Sequence, residues 1–387
     1  DGEVIEDFHG TQVFGQRRAE ITQALQEFLS SDYLSWYPSR VSPFGGRLAR
    51  MLCERVGYYD NVFFGCTGSD GVEAGLKLAR ALTKKRRIIG LEGGYHGCTY
   101  GSLSLMQKGY LRDPFGPHLE GAESIPFNDI EALHRAMGDD VAAVLVEPIQ
   151  GEGGVRALSD AFIEALCDLT QRHSALLIAD EVQTGLGRTG LGFVSTAHWP
   201  RRPDIIILAK HLGGGLMPMS AMLTRRDFFM RAYGQDFASG ESHNATFSTN
   251  ALAMVAGIAT LELLTDDLIE RVAKVGAAFK QRLGEALKGS TLFEEVRGQG
   301  LMLGVKLREI EHPWLSFEHF GYTGLEGKSV MSPLLCNRLY KRGFFCFTCG
   351  HDWSLFRLQP RYEIPEATLG RFIDVCAQEL RTLEDLA

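Results

Sequence analysis

Five short runs of aliphatic and β-branched residues recur through the middle of the chain: NVFFG (61–65), RIIGLEGG (87–94), AAVLVEP (142–148), ALLIADEV (175–182) and DIIILAK (204–210). They are continuously apolar rather than alternating, which is the pattern of strands covered on both faces. Segments with helical spacing lie between them, over 71–83, 129–137 and 159–172, the last with Ser159 or Asp160 available as an N-cap. Strands alternating with helices in this way give a mainly parallel sheet sandwiched by helices, so the fold class is α/β.

After Asn250 the texture changes. Residues 251–287 form a nearly unbroken helical pattern, with Thr265-Asp266-Asp267 as its break. Beyond it, VRGQGLMLGVKL (296–307), RGFFCF (342–347) and LFRLQP (355–360) read as strands, and 365–384 as a helix packed on them in a smaller α+β lobe. The expected division is an N-terminal segment over 1–40 that joins the small domain, a large domain over 41–265, and a small C-terminal domain over 266–387. Residues 309–330 read as an inserted loop.

Composition narrows the function. With 387 residues, 45% hydrophobic and 23% charged, the chain can bury a large core and is neither a short binding module nor a disordered one. Forty Lys and Arg against 48 Asp and Glu give a net charge of -8 with no long basic run, so nucleic acid is not an expected partner. No stretch nears about 18 consecutive apolar residues and the start lacks the build of a signal peptide, so no membrane partner is expected either. Eight cysteines without disulfide-framework spacing point to a reducing compartment, the cytoplasm. The chain opens on Asp1 rather than on a methionine, and residues are expected upstream of it.

In open α/β sheets ligands collect outside the carboxyl ends of the strands. After NVFFG come Thr67, Gly68 and Ser69 at the start of a helix, where free N–H groups and the positive helix end suit a phosphate; an ordinary N-cap is the plainer alternative. After RIIGLEGG come Tyr95 and His96, able to stack on a planar ring or simply to pack. ALLIAD ends in Asp180, and DIIILA ends in Lys210, two charges closing apolar runs that are costly to bury unless something partners them.

Together these are the parts that pyridoxal 5'-phosphate requires. A lysine amine forms the imine with the cofactor aldehyde, and burial lowers its pKa so that it also serves as a base. A carboxylate at the pyridine nitrogen keeps that nitrogen protonated, which makes the ring an electron sink.

At this point the chain resembles the class III (omega-type) pyridoxal-phosphate aminotransferases of fold type I, over almost its whole length. The resemblance rests on ALLIADEVQTGLGRTG (175–190), EPIQGEGG (147–154), AKHLGGG (209–215), HNATFSTN (243–250) and VRGQGLMLGV (296–305), in that family's order along the chain and spacing. It implies that Lys210 is the Schiff-base lysine and Asp180 the pyridine-nitrogen partner, with Val182 and Tyr95 on the two ring faces and Gln183 near the ring hydroxyl. Gly68 and Ser69 would bind the phosphate. Thr246 would reach the phosphate of the neighbouring subunit's cofactor, which implies a homodimer with shared active sites. Arg357 would receive a substrate carboxylate, and Glu152 would neutralise it when the substrate has none. Trp36, Tyr37 and Arg40 fall where substrate-side residues are expected.

The chain departs from the family pattern at Cys66-Thr67-Gly68-Ser69-Asp70-Gly71, before the phosphate helix, and at Gln359-Pro360-Arg361, which offers Arg361 as a second candidate cation. The 309–330 insertion and CFTCGHDW (346–353) match no general pattern. The implied reaction is transfer of an amino group from a glutamate- or alanine-like donor to an aldehyde or ketone acceptor, in two half-reactions. A racemase, epimerase or decarboxylase on the same fold is the alternative, with a non-catalytic scaffold more remote. Gly185 to Gly190 spell GxGxxG, yet loop-like residues follow instead of a helix, which argues against a nicotinamide-dependent dehydrogenase. Cys346 and Cys349 with His351 lack a fourth ligand at suitable spacing, so no metal is expected.

Overall fold

All five runs become strands of one seven-stranded sheet in the computed structural model, which describes residues 4–10, 12–37, 42–310, 315–321, 325 and 327–385. The strands are β1 (Asn61–Gly65), β2 (Arg87–Leu91), β3 (Ala122–Ile125), β4 (Val141–Val146), β5 (Leu176–Asp180), β6 (Ile205–Leu208) and β7 (Ser220–Thr224), in spatial order β1-β7-β6-β5-β4-β2-β3. Six strands share one direction; β7 alone runs antiparallel to its neighbours β1 and β6. Sequence reading misses β7 and β3. Both are short, and Ser220, Thr224, Glu123 and Ser124 interrupt their apolar pattern.

The helices that position the site are α1 (Ala19–Leu29), α2 (Pro43–Val56), α3 (Gly68–Thr83), α4 (Asp160–Arg172), α5 (Ala251–Leu263), α6 (Asp266–Leu287), α7 (Met331–Lys341) and α8 (Glu366–Glu384). Alternate residues of the central strands face different helices, as the two-residue period of a strand requires. Ile178, Ile205 and Ile207 pack with Val72, Leu76 and Ala79 of α3, while Ile206 and Leu208 join the core that holds α2 and α5. On the β2–β4 side, Ile89, Val144 and Leu177 pack with Phe162 and Leu166 of α4. Ser159 caps α4 through its hydroxyl, which accepts the Phe162 N–H at 3.3 Å.

The break expected at Thr265 is present: α5 ends at Leu263, and the Thr265 hydroxyl caps α6 by accepting the Leu268 N–H. Four antiparallel strands follow, β8 (Phe293–Gln299), β9 (Met302–Leu307), β10 (Phe347–Thr348) and β11 (Leu355–Leu358), in the order β8-β9-β11-β10. The run RGFFCF does not form one strand. Phe344–Phe345 pairs in parallel with Glu6–Asp7, Cys346 interrupts the strand, and β10 pairs with β11. Phe8 stacks on Phe372 of α8, so the N-terminal segment is anchored on the C-terminal elements. Among the described residues no helix is long and apolar enough to cross a membrane.

Candidate active site

A cavity of about 380 Å³ opens at the carboxyl ends of β5 and β6, walled by the residues that follow β1, β2, β5 and β6. Thr67, Gly68, Ser69, Tyr95, His96, Asp180, Val182 and Lys210 line it, together with Cys66, Cys98 and Met219, which sequence reasoning did not single out.

α3 begins at Gly68, three residues earlier than its apolar spacing predicts. The cause is a capping box: Thr67 Oγ1 accepts the Asp70 N–H at 3.2 Å, and Asp70 Oδ2 accepts the Thr67 and Cys66 N–H groups. The box leaves the Gly68 and Ser69 amides without a partner among the described residues, at the positive end of a sixteen-residue helix. Gly97, at φ 117°, lies against this turn; a Cβ there would sit 1.9 Å from Ser69 Oγ.

Asp180 ends β5 almost fully buried. Its Oδ2 lies 2.8 Å from His96 Nδ1, and its Oδ1 accepts the Val182 N–H at 3.1 Å, so both oxygens are oriented. Burial opposes charging His96, but the hydrogen bond and charge of Asp180 outweigh it and raise the imidazole pKa. Glu147 stands behind this pair, accepting the Tyr95 and Gly151 N–H groups, and burial pushes its carboxyl up to about 7. Tyr95 shares a 3.4 Å hydrogen bond with Cys98 Sγ.

Lys210 follows β6 with φ at 35°, a strained conformation for a side-chain-bearing residue. Burial lowers its pKa, against the charges of Asp180 and Glu152, which raise it, while Arg357 lowers it further. Those charges also place the carboxylate-binding candidates near the lysine. Arg357, on β11, is buried and donates from Nη1 to Glu152 Oε1 at 2.5 Å; the Gly350 N–H holds Glu152 Oε2 at 2.7 Å. His9, brought in by the N-terminal segment, feels Arg357, Glu152 and Lys210 and has its pKa lowered, first by burial. No local motif announces His9; only the long-range pairing of residues 6–7 with 344–345 brings it here.

Other expected residues lie elsewhere. Gln183 is buried, its side-chain oxygen filling the space beside Gly151, and it does not line the cavity. Arg361 donates to the Glu363 carbonyl and packs by Gly15. Thr246 is exposed outside the cavity of its own chain, and its carbonyl accepts the Trp36 Nε1–H at 2.8 Å. Trp36 and Tyr37 do not line the cavity, and Arg40 lies outside the described residues. Cys346 Sγ lies 3.8 Å from Cys336 Sγ, while Cys349 donates to the Gly151 carbonyl, so the CxxC pair is split between two environments.

The GxGxxG glycines have a packing role. A Cβ on Gly187 would stand 2.7 Å from Ile269, and one on Gly190 would stand 2.6 Å from the Ala273 backbone, so this turn lies directly on α6. Between them the buried Arg188 donates to the Leu301 and Pro360 carbonyls, stitching the turn to the small sheet.

A family model described as aminotransferase class-III matches residues 10–380. The acetylornithine aminotransferase of Methanopyrus kandleri is 41% identical over 265 residues, covering 68% of this chain and 65% of that protein. The chain thus spans just under two thirds of that relative's length. Among solved structures, the ornithine aminotransferase of Toxoplasma gondii superposes with a TM-score of 0.86 at 26% identity, over 100% of this chain and 88% of the other. An amine transaminase from an uncultivated Pseudomonas species, in its PLP-bound form, gives 0.84 at 26% identity over 96% and 89%.

Proposed function

This chain belongs to the class-III aminotransferase family, and we propose that it is a pyridoxal-phosphate-dependent aminotransferase moving an amino group from an amino-acid donor to an aldehyde or ketone acceptor. The observation that carries the reading is the convergence of Lys210, Asp180 and the two unpartnered amides of α3 on one cavity.

The residues fit the cofactor. The Gly68 and Ser69 N–H groups and the α3 dipole suit its phosphate, Val182 and Tyr95 its ring faces, and Asp180 its pyridine nitrogen. When bound, pyridoxal phosphate supplies an aldehyde carbon for the substrate amine and a ring that takes up the electron pair released at Cα. The chain supplies the rest. His96 fixes one oxygen of Asp180 while the other holds the Val182 amide, so the oriented carboxylate would keep a proton at the ring nitrogen. Lys210, whose pKa burial lowers, would accept the Cα proton on Nζ and pass it to the carbon that the cofactor contributes. Arg357 receives the donor carboxylate when Glu152 releases it, and Glu152 covers the arginine when a substrate lacks that group. Water would supply the carbonyl oxygen of the departing keto product while the amino group stays on the cofactor, and the acceptor would reverse the steps, which gives ping-pong kinetics.

The working form is a homodimer. Thr246 is exposed beside Phe247 and does not line the cavity of its own chain, as expected of a residue that serves a neighbour's cofactor. The described cysteines are all free, which supports a cytoplasmic setting.

The test is the near-ultraviolet and visible spectrum of the protein reconstituted with pyridoxal phosphate, recorded as L-glutamate, L-alanine and a terminal diamine are added in turn. One donor is expected to convert the lysine-bound cofactor to its amine form. A band that no amine discharges would overturn the transaminase reading, and absence of any band would overturn the cofactor.

A further inference from the structure

Two segments that match no family pattern, the 309–330 insertion and CFTCGHDW, meet at one place. Lys328 from the first and Gly350-His351 from the second wall a cavity of about 230 Å³, closed on the other side by residues 107–111 with Lys108 and Tyr110. The Tyr110 hydroxyl donates to the Gly350 carbonyl at 3.0 Å and ties the two sides together.

The cavity is cationic. Neither Lys108 nor Lys328 has an ion-pair partner among the described residues, and no carboxylate lines the space. Acidic side chains bonded around it are engaged: Asp113 accepts the Gly109 N–H, Glu318 accepts the Gly327 N–H, and Glu152 is held by Arg357 and the Gly350 amide. His351 Nε2 is buried without a hydrogen-bond partner, an unusual state for a polar ring atom. Burial lowers the His351 pKa; the Glu152 charge and a hydrogen bond to the Gly94 backbone oppose it, and Lys328 and Arg156 add to it, so the ring lies within reach of both lining and neighbouring cations.

The cavity also adjoins the catalytic one. The His351 N–H donates to the Glu152 carbonyl at 3.0 Å, and the His351 ring lies 6.4 Å, centroid to centroid, from Tyr95, which lines the Lys210 cavity. Gly350 and His351 therefore form a wall shared by the Arg357–Glu152 pair and the second cavity.

We infer that this second cavity is an oxyanion site, formed by Lys108, Lys328 and His351, that receives a carboxylate or phosphate at the far end of an extended carbonyl acceptor. The inference rests on the aminotransferase reading, because the acceptor's carbonyl must reach Lys210 while its anionic end lies beyond Tyr95. Two ammonium groups beside a buried ring nitrogen, with no carboxylate lining the space, suit a charged oxygen ligand, whereas an uncharged chain end would gain nothing from either lysine.

The test uses holoenzyme loaded to its amine form, so the cofactor's own phosphate site is filled. The second half-reaction is measured with pentanal, 5-oxopentanoate and 4-oxobutyl phosphate, in the native chain and in a Lys108→Ala/Lys328→Ala variant; both lysines are exposed. The expected result is a preference for one anionic acceptor over pentanal in kcat/KM that falls about tenfold in the variant and weakens with added salt. The acceptor that shows the drop identifies the ligand as carboxylate or phosphate. An anionic-to-neutral ratio equal in both proteins would overturn the proposal. Binding of inorganic phosphate to holoenzyme, followed by calorimetry, reads the same cavity without turnover: weaker binding in the variant supports it even if no donor loads the cofactor, and equal binding counts against it.

Discussion

Glu152 and Arg357 form a buried ion pair at 2.5 Å, and the far oxygen of Glu152 is held by the Gly350 amide. The arginine is thus neutralised before any substrate arrives. A donor carboxylate must compete with Glu152, whereas a plain amine finds the charge already covered. Glu152→Gln is expected to lower the KM for L-glutamate and slow the half-reaction with a diamine, and Arg357→Gln to raise the glutamate KM by about 10- to 100-fold. Stopped-flow single turnovers with the two donors check both; an unchanged donor ratio in both variants would remove the switch.

The same pair has a pH signature. Burial alone would raise the Glu152 pKa, but the Arg357 charge and the Gly350 hydrogen bond outweigh it, and the net shift is downward. A depressed carboxyl contributes stability that is present above its unfolded value of 4.5 and lost as pH falls through the folded value. In Glu152→Gln that acid-side contribution is absent, so acid unfolding followed by circular dichroism is expected to show a shallower stability loss below about pH 5 than in the native chain.

Glu147 and His96 act in the opposite direction. Burial raises the Glu147 carboxyl from 4.5 to about 7, so the folded chain binds the extra proton between those values and stability falls as pH rises through them. His96 is also raised by its net partners, and its contribution is complete below 6.5 and lost as pH climbs through the folded value. Scanning calorimetry of cofactor-free protein from about pH 5 to about pH 8 is expected to show a falling midpoint, and Glu147→Gln a flatter one. Equal slopes in the two proteins would show that Glu147 carries no proton in this range.

Lys210 is held at φ 35° directly after β6, so its amine is fixed in the cavity by strained backbone. Lys210→Ala is expected to lose the visible band of the lysine-bound cofactor and multiple turnover together, while retaining the fold. Far-ultraviolet circular dichroism and the absorbance spectrum of the same sample separate the two effects. Sustained turnover by this variant without added amine would sink the assignment.

The strands that carry Asp180 and Lys210 were legible because burial on both faces leaves a continuous apolar run, and a charge ending such a run stands out. The two unpartnered α3 amides were legible only as a helix start; the capping box that exposes them depends on Asp70, whose role shows only in the folded turn. His9, Gly350 and the Lys108–Lys328 cavity were not legible at all. Each joins residues 198 or more positions apart through contacts, such as the pairing of 6–7 with 344–345, that no local periodicity encodes. The RGFFCF run misled for a related reason: its two halves bond to different partners, so a uniform apolar pattern hid the break at Cys346.

The GxGxxG turn shows how a binding motif can be a packing motif. Gly190 has φ 69°, and a Cβ on it would stand 2.6 Å from the Ala273 backbone of α6, a contact no side-chain rotation relieves. The fully buried Arg188 depends on the same turn for its bonds to the Leu301 and Pro360 carbonyls. Gly190→Ala is therefore expected to push α6 away and loosen the small sheet, at a cost of more than about 2 kcal/mol, since strained backbone and steric overlap act together. Urea unfolding of native and variant proteins measures it. Because Gly190 does not line the Lys210 cavity, the spectrum of folded, cofactor-loaded variant is expected to stay native, whereas a turn that bound cofactor would lose the band at full stability.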